Sequence, residues 1–144
     1  AYEAARDYAH IRTQGGRPLI EHQAIGAKLG EMAIKLEIAR AAIWQAAWAF
    51  DHPEAVADRS LADLPLATFA QVFTSETVMK TAKDAAEIFG AMGVMRDMPL
   101  AKYIRDARVC MHSGDGNTDA RLRVAEEIAG YRRSSQRPMA LAGE

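Results

Sequence analysis

Cysteine is almost missing. The 144 residues contain one, Cys110. No internal disulfide can form, and the composition fits a reducing compartment: a cytoplasm or an organelle matrix. No apolar run approaches the ~20 residues of a membrane span, which predicts a soluble domain. A basic excess is lacking too. Eighteen Lys and Arg stand against nineteen Asp and Glu, a formal net charge of -1, which argues against a nucleic-acid binder. There is no CxxC, no HExxH and no paired Glu-xx-His, so a metal centre is not expected. His10, His22, His52 and His112 are scattered without ligand spacing and read as surface or capping residues. Neither a GxSxG elbow nor a Walker loop occurs. Alternating strand patterns, internal repeats and low-complexity tracts are absent.

Helical periodicity fills the space these absences leave. Apolar residues make up 49% of the chain, enough for the core of one domain. The first residues, AYEAARDYAHI, already carry the i, i+3, i+4 spacing of a helix face with no initiator Met and no N-cap. This reads as a chain that starts inside a helix of a longer protein. That helix should end near Thr13, before Gly15, Gly16 and Pro18. A long helix is predicted from about Ile20 to Phe50. Its seam, Ile25, Leu29, Met32, Leu36, Ala39, Ile43, Ala46 and Phe50, alternates steps of four and three.

Asp51 to Pro65 reads as a loop. A third helix follows, Leu66 to Phe89, with Val72, Met79, Ala82, Ala86 and Phe89 as its seam and Gly90 and Gly93 as its stop. After a connector, Met92 to Met98, Pro99 opens a fourth helix running to about Met111. A loop of Gly114, Asp115 and Gly116 precedes a fifth, Thr118 to Arg132, with Val124, Ile128 and Tyr131 inward. The domain is placed at 1–133 and an unstructured tail at 134–144. The expected fold is all-α, an up-and-down bundle of long antiparallel helices in the four-helix-bundle style.

Several residues invite a functional reading beside a plain one. Gly26 and Gly30, one turn apart, weaken the long helix by roughly 1 kcal/mol each relative to Ala; they mark either a close approach or tolerated surface positions. Trp44 and Trp48 read as a partner-facing or inter-helix aromatic pair, and Cys110 as a small buried hydrophobe. Arg12, at a helix end beside the Gly15–Gly16 pair, suits a diphosphate or simply answers a helix dipole. Asp115, between two glycines at a junction where free N–H groups gather, suits a catalytic carboxylate or a helix cap.

Four collinear blocks then carry a resemblance. They are RTQGGRP from Arg12 to Pro18; Glu21-His-Gln23 followed by Lys28-Leu-Gly-Glu-Met32 and Ala39-Arg40; Ala85 to Val94, AAEIFGAMGV; and Pro99 followed by Arg105-Asp-Ala-Arg108. In this order and at these separations the chain resembles the C-terminal helical domain of the acyl-CoA dehydrogenases, from Ala1 to about Arg132. The resemblance implies an FAD enzyme that desaturates an acyl-CoA between the α and β carbons, using a carboxylate base and hydride transfer to flavin. It implies a homo-oligomer, dimer or tetramer, built through the bundle, with an electron-transfer flavoprotein as acceptor. Residues matching Arg12, Gln14 and Gln23 reach the FAD diphosphate and adenosine of a neighbouring subunit. Those matching Glu87 to Ala91 approach the cofactor from its own side, and those matching Gly116 and Thr118 line the flavin. Isolated, such a domain is expected to be inactive.

Departures from the family pattern are specific. Gly15 stands for a Phe, Ala91 for a second Gly, and Glu87 for a Gln. Glu87 places a carboxylate near a diphosphate, which is repulsive unless it is protonated or turned away. Counted without gaps, Gly114 falls where the family has its catalytic Glu, and Asp115 is one residue late. Three readings remain: Asp115 is the base, the base lies on a helix before Ala1, or this subunit has none and acts structurally. A non-catalytic family-like subunit and a plain helical assembly module are the alternatives to the enzyme.

Overall fold

A computed structural model describes residues 1–56, 66–114 and 116–130. Among them are five α-helices: α1 (Tyr2–Ile11), α2 (Gln23–Asp51), α3 (Leu66–Phe89), α4 (Leu100–Cys110) and α5 (Gly116–Ala129). The expected all-α fold is what forms. Two-residue strands β1 (Thr13–Gln14) and β2 (Arg17–Pro18) pair antiparallel, Thr13 with Pro18 and Gln14 with Arg17. Gly15 and Gly16 turn between them at φ 60° and 81°, the doubly left-handed conformation of a type I′ hairpin turn. The expectation of no strand therefore fails at this one hairpin. Two residues are too short to show an alternation.

α3 is the central element. It packs along α2 and also meets α1, α4 and α5. Its 24 residues bury Ala70, Met79, Ala82, Ala85, Ile88 and Phe89, and also the polar Ser75, Thr77, Thr81 and Asp84. The main core joins Ala5 and Ala9 of α1, Leu29 and Met32 of α2, Ala85, Ile88 and Phe89 of α3, and Leu100 of α4. The small alanines of α1 let Tyr8 stack on Phe89, with ring centroids 4.1 Å apart. Each fully buried Leu or Met in such a core contributes about 1.5–3 kcal/mol.

The helix ends follow from their residues. α1 stops one to two residues before Thr13 because Arg12 turns extended at its C-cap. A 3-10 turn, Leu19–Glu21, leads into α2. Gly90, at φ 58°, closes α3 in the left-handed conformation of a C′ glycine. Gly93 is required for a different reason. A Cβ there would lie 2.9 Å from the Ala86 carbonyl carbon and still closer to its oxygen.

Several expected inward positions are not inward. On α2, Leu29, Met32 and Ala39 are buried, but Ile43 is 48% and Phe50 87% exposed. On α5, Ile128 is 69% exposed, and the buried residues are Asn117 and Ala120. Periodicity finds a helix face but not whether another element reaches far enough to cover it. Cys110, expected to be buried, is exposed. It is the last residue of α4, on the wall of an open cavity of about 450 Å³ that also touches Ala82 and Tyr103. Gly26 lies 3.5 Å, measured from a built Cβ, from the Ile20 carbonyl oxygen, whereas Gly30 faces open space. The first is ordinary van der Waals contact, so neither glycine marks a close approach. Tyr131, Arg132, the tail at 134–144 and most of the 51–65 loop lie outside the described residues.

Candidate functional site

The residues singled out from the sequence fall into two groups. The first gathers at the end of the bundle where α1 stops, α2 starts and α3 stops. Arg12 caps α1, Gln14 lies on β1 and Gln23 opens α2; all three are exposed. Among the described residues their side chains make no hydrogen bond or ion pair with the protein. His22 braces this corner. Its Nε2 lies 2.9 Å from the Gln14 carbonyl oxygen and its Nδ1 3.5 Å from Arg17 Nη2. The first contact makes Nε2 the N–H donor, which leaves Nδ1 to accept from the guanidinium. His22 reads from sequence as a generic surface or capping residue. Only the hairpin, invisible to periodicity, brings its two partners to it.

Glu87 stands on the last turn of α3 and forms an ion pair with Lys28 of α2. Its charge is therefore partly balanced by a cation from the facing helix. Ala91 follows on the exposed side of a 3-10 turn, Gly90–Val94. Further along the same α2–α3 seam, Lys80 pairs with the buried Asp84 at 2.8 Å. The hydrogen bond to Asp84 is the main cause that raises the Lys80 pKa above its ordinary value; burial opposes it, and the charges of Asp84, Glu87 and Glu31 add to the rise.

The second group is the turn between α4 and α5. Gly114 and Gly116 adopt φ of 63° and 77°. Gly116 is half-buried, Thr118 is exposed on the first turn of α5, and Asn117 between them is buried. Asp115 lies outside the described residues. This turn meets α3 at Ser75, whereas the first group meets it at Glu87, about 18 Å away along the helix at 1.5 Å per residue. The structure thus gathers Arg12, Gln14, Gln23, Glu87 and Ala91 at one end. It holds Gly116 and Thr118 apart from them.

Beside the turn, a cavity of about 380 Å³ is lined by Ile43, Ala46, Ala70, Thr74, Val78 and Cys110, among others. Thr74 Oγ1 is buried there without a hydrogen-bond partner. Among the described residues no cluster of three or more His, Cys, Asp or Glu could hold a metal ion. Nor is any described helix long and apolar enough to cross a membrane.

The donor set of the first group fits a dinucleotide such as FAD. One guanidinium and two carboxamides without protein partners surround a hairpin whose turn is two glycines, so backbone and side chains can both approach an anion. The acidic neighbour, Glu87, already has Lys28 as its counter-ion.

The sequence model of the family described as "Acyl-CoA dehydrogenase, C-terminal domain" matches residues 1–129. A 3-sulfinopropanoyl-CoA desulfinase of Paraburkholderia xenovorans is 35% identical over 95% of the chain and 33% of its own length. An acyl-CoA dehydrogenase of Bacillus subtilis is 35% identical over 90% of the chain and 32% of its length. Among solved structures, butyryl-CoA dehydrogenase from Megasphaera elsdenii superposes with a TM-score of 0.75 at 26% identity, over 89% of this chain and 31% of that one. The chain spans about a third of the length of these relatives.

Proposed function

Because the chain belongs to the acyl-CoA dehydrogenase family, as its C-terminal domain, we propose that it serves an FAD-dependent enzyme that desaturates an acyl-CoA thioester. The observation that carries this reading is the set of unpaired donors, Arg12, Gln14 and Gln23, around the Gly15–Gly16 hairpin. FAD, when bound, supplies the acceptor for the hydride leaving the β carbon. Arg12 would neutralise part of the diphosphate charge, and Gln14 and Gln23 would donate to its phosphate and ribose oxygens. Glu87, held by Lys28, would stay out of contact with the anion while Ala91 borders it. At the other half-site, Gly116 and Thr118 would line the isoalloxazine ring, leaving room for the substrate on the open side of the turn. The proposed assembly is a homo-oligomer joined through the bundle, with an electron-transfer flavoprotein as the electron acceptor.

The α-proton needs a carboxylate base. Gly114 occupies the place the family count gives it, which leaves Asp115, a carboxylate on an upstream helix, or no base in this subunit. An Asp reaches one methylene less than a Glu, so the turn would have to carry it forward, and a 1 Å misplacement costs roughly a hundredfold in rate.

A second reading draws on that same glycine. The relative from P. xenovorans is named for desulfination of a 3-sulfinoacyl thioester. Breaking a C–S bond with water, to give the unsubstituted acyl thioester and sulfite, is redox-neutral overall and removes no hydride from the product. A glycine where the dehydrogenases keep their base would suit it.

The test uses the full-length protein. The proposal expects a yellow protein that releases FAD and is bleached anaerobically by an acyl-CoA. Arg12→Ala should weaken FAD binding by about 1.5–3 kcal/mol, the worth of a charge-assisted hydrogen bond, or roughly ten- to hundredfold. A colourless protein would favour the non-catalytic assembly role. Sulfite release from a 3-sulfinoacyl thioester without bleaching would favour the second reading. Unchanged FAD affinity in Arg12→Ala would remove Arg12 from the diphosphate site.

A further inference from the structure

The turn between α4 and α5 is held to α3 by polar contacts as well as by Met111, which packs at its start beside Met79, Ala82 and Ala107. Gln71 Nε2 donates to the Ser113 carbonyl at 3.1 Å, and the Gly116 N–H reaches the same oxygen at 3.3 Å. One turn further along α3, Asn117 Nδ2 donates to Ser75 Oγ at 2.9 Å. The single Ser75 hydroxyl proton is then shared between the Val72 carbonyl and Asn117 Oδ1, each at 3.1 Å. Glu76 Oε1 lies 3.5 Å from Asn117 Nδ2 and pairs with Arg121 of α5. Gln71 and Ser75 stand at i and i+4, on one face of α3. The flank of the turn at Ser113 and the flank at Asn117 are thus tied to a single rigid helix.

The tip of the turn itself is not packed. A Cβ at Gly114 would meet no atom within 4 Å, so the turn's outer side is open and adds no packing. Ser75 and Asn117 are 4% and 7% exposed. Burying two such polar groups is unfavourable unless they bond each other, and an apolar pair of similar size would bury as well without that requirement. The left-handed glycines on either side leave the backbone free to shift. What the polar contacts provide is a defined position.

We infer that Gln71, Ser75 and Asn117 are positioning residues that fix the Gly114 turn against the reacting end of the acyl thioester. This rests on the proposed dehydrogenase reading. The contacts act through the turn, not on the substrate. Their loss moves the turn by a fraction of an ångström to an ångström, a displacement that costs up to about a hundredfold in a proton or hydride transfer while leaving binding elsewhere intact.

The experiment uses the full-length, FAD-loaded protein. Gln71→Met keeps the volume and removes the donor at a partly exposed site, so it is the variant safest for folding; Asn117→Ala tests the buried half. Flavin reduction is followed in single turnovers over a range of acyl-CoA concentrations, with FAD content and melting temperature measured alongside. The expected result is a limiting reduction rate per bound FAD that falls roughly ten- to hundredfold, with thioester affinity within about twofold and FAD content unchanged. Gln71→Lys, which keeps an N–H donor, should recover most of the rate. An unchanged rate per flavin with only a lowered melting temperature would assign the contacts to stability and overturn the inference. So would a Lys variant as slow as the Met one. If the parent protein binds FAD but no acyl-CoA reduces it, the dehydrogenase reading falls, and this inference with it.

Discussion

Gly93 shows how little room one residue can have. Its neighbour Ala86 stands less than two helical turns back on α3, and a built Cβ at 93 falls within 3.0 Å of three Ala86 backbone atoms. Backbone cannot swing aside as a side-chain tip can. Gly93→Ala should therefore destabilise the full-length protein by about 2–3 kcal/mol, at the upper end of overpacking costs, as measured by urea denaturation. Gly30→Ala meets nothing and should be neutral or stabilising by up to about 1 kcal/mol through helix propensity. Asp115 poses the chemical question at this scale. If it is the base, Asp115→Asn should slow single-turnover flavin reduction by at least about a hundredfold, the lower range of general-base contributions. An unchanged rate would move the base upstream or remove it from this subunit.

The seam between α2 and α3 is where charge and packing combine. Lys28 of α2 reaches Glu87 of α3, and Lys80 covers the buried carboxylate of Asp84 within α3. Because the folded pKa of Lys80 is raised above the ordinary 10.5, its stabilising contribution is complete below that value and is lost as pH rises through the higher folded value. Lys80→Met should destabilise the protein by about 1–2 kcal/mol at pH 8, since Asp84 loses its partner while buried. It should also flatten the fall in stability expected of the parent as pH rises above 10.5; parallel pH curves would show that the pair adds nothing. Elements of this kind were largely legible from sequence, since five helices follow from heptad spacing bounded by Gly and Pro. The hairpin was not, because two residues carry no period and only the folded Gly15–Gly16 turn shows it. Nor were the exposures of Ile43, Phe50, Ile128 and Cys110, because periodicity orients a face without saying what lies over it. At the site, Arg12, Gln14 and Gln23, proposed to meet a diphosphate, could be singled out in advance, and they share one end of the bundle. The Lys28–Glu87 pair and the Gln71–Ser113 contact join positions too distant in sequence for spacing to link them.

Seen as a whole molecule, α2 is apolar on two sides. Leu29, Met32 and Ala39 face α3 and the core. Away from that face, Ile34, Ile38, Ala41, Gln45 and Trp48 follow the same alternation of four and three, with Ile38 also bordering a cavity beside Phe69, Phe73 and Val124. Ile34 is 58%, Ile38 50%, Trp48 49% and the adjacent Trp44 74% exposed. A contiguous apolar stripe of this kind on a protein surface marks a contact. Two occupants are open to it: the corresponding helix of another subunit, as the proposed homo-oligomer requires, or the remainder of a chain whose relatives are about three times as long. A symmetric partner favours a seam that is self-complementary along a long, straight helix, since two-fold packing sets each residue against its equivalent or a near neighbour. Ile34→Glu combined with Ile38→Glu in the full-length protein should then split the assembly into smaller units, read as a fall in mass by light scattering, while FAD content drops only if the cofactor site is shared between subunits. An unchanged mass with a well-folded far-ultraviolet spectrum would show that the stripe lies outside the subunit contact. Loss of the folded state itself would place the stripe against the rest of its own chain.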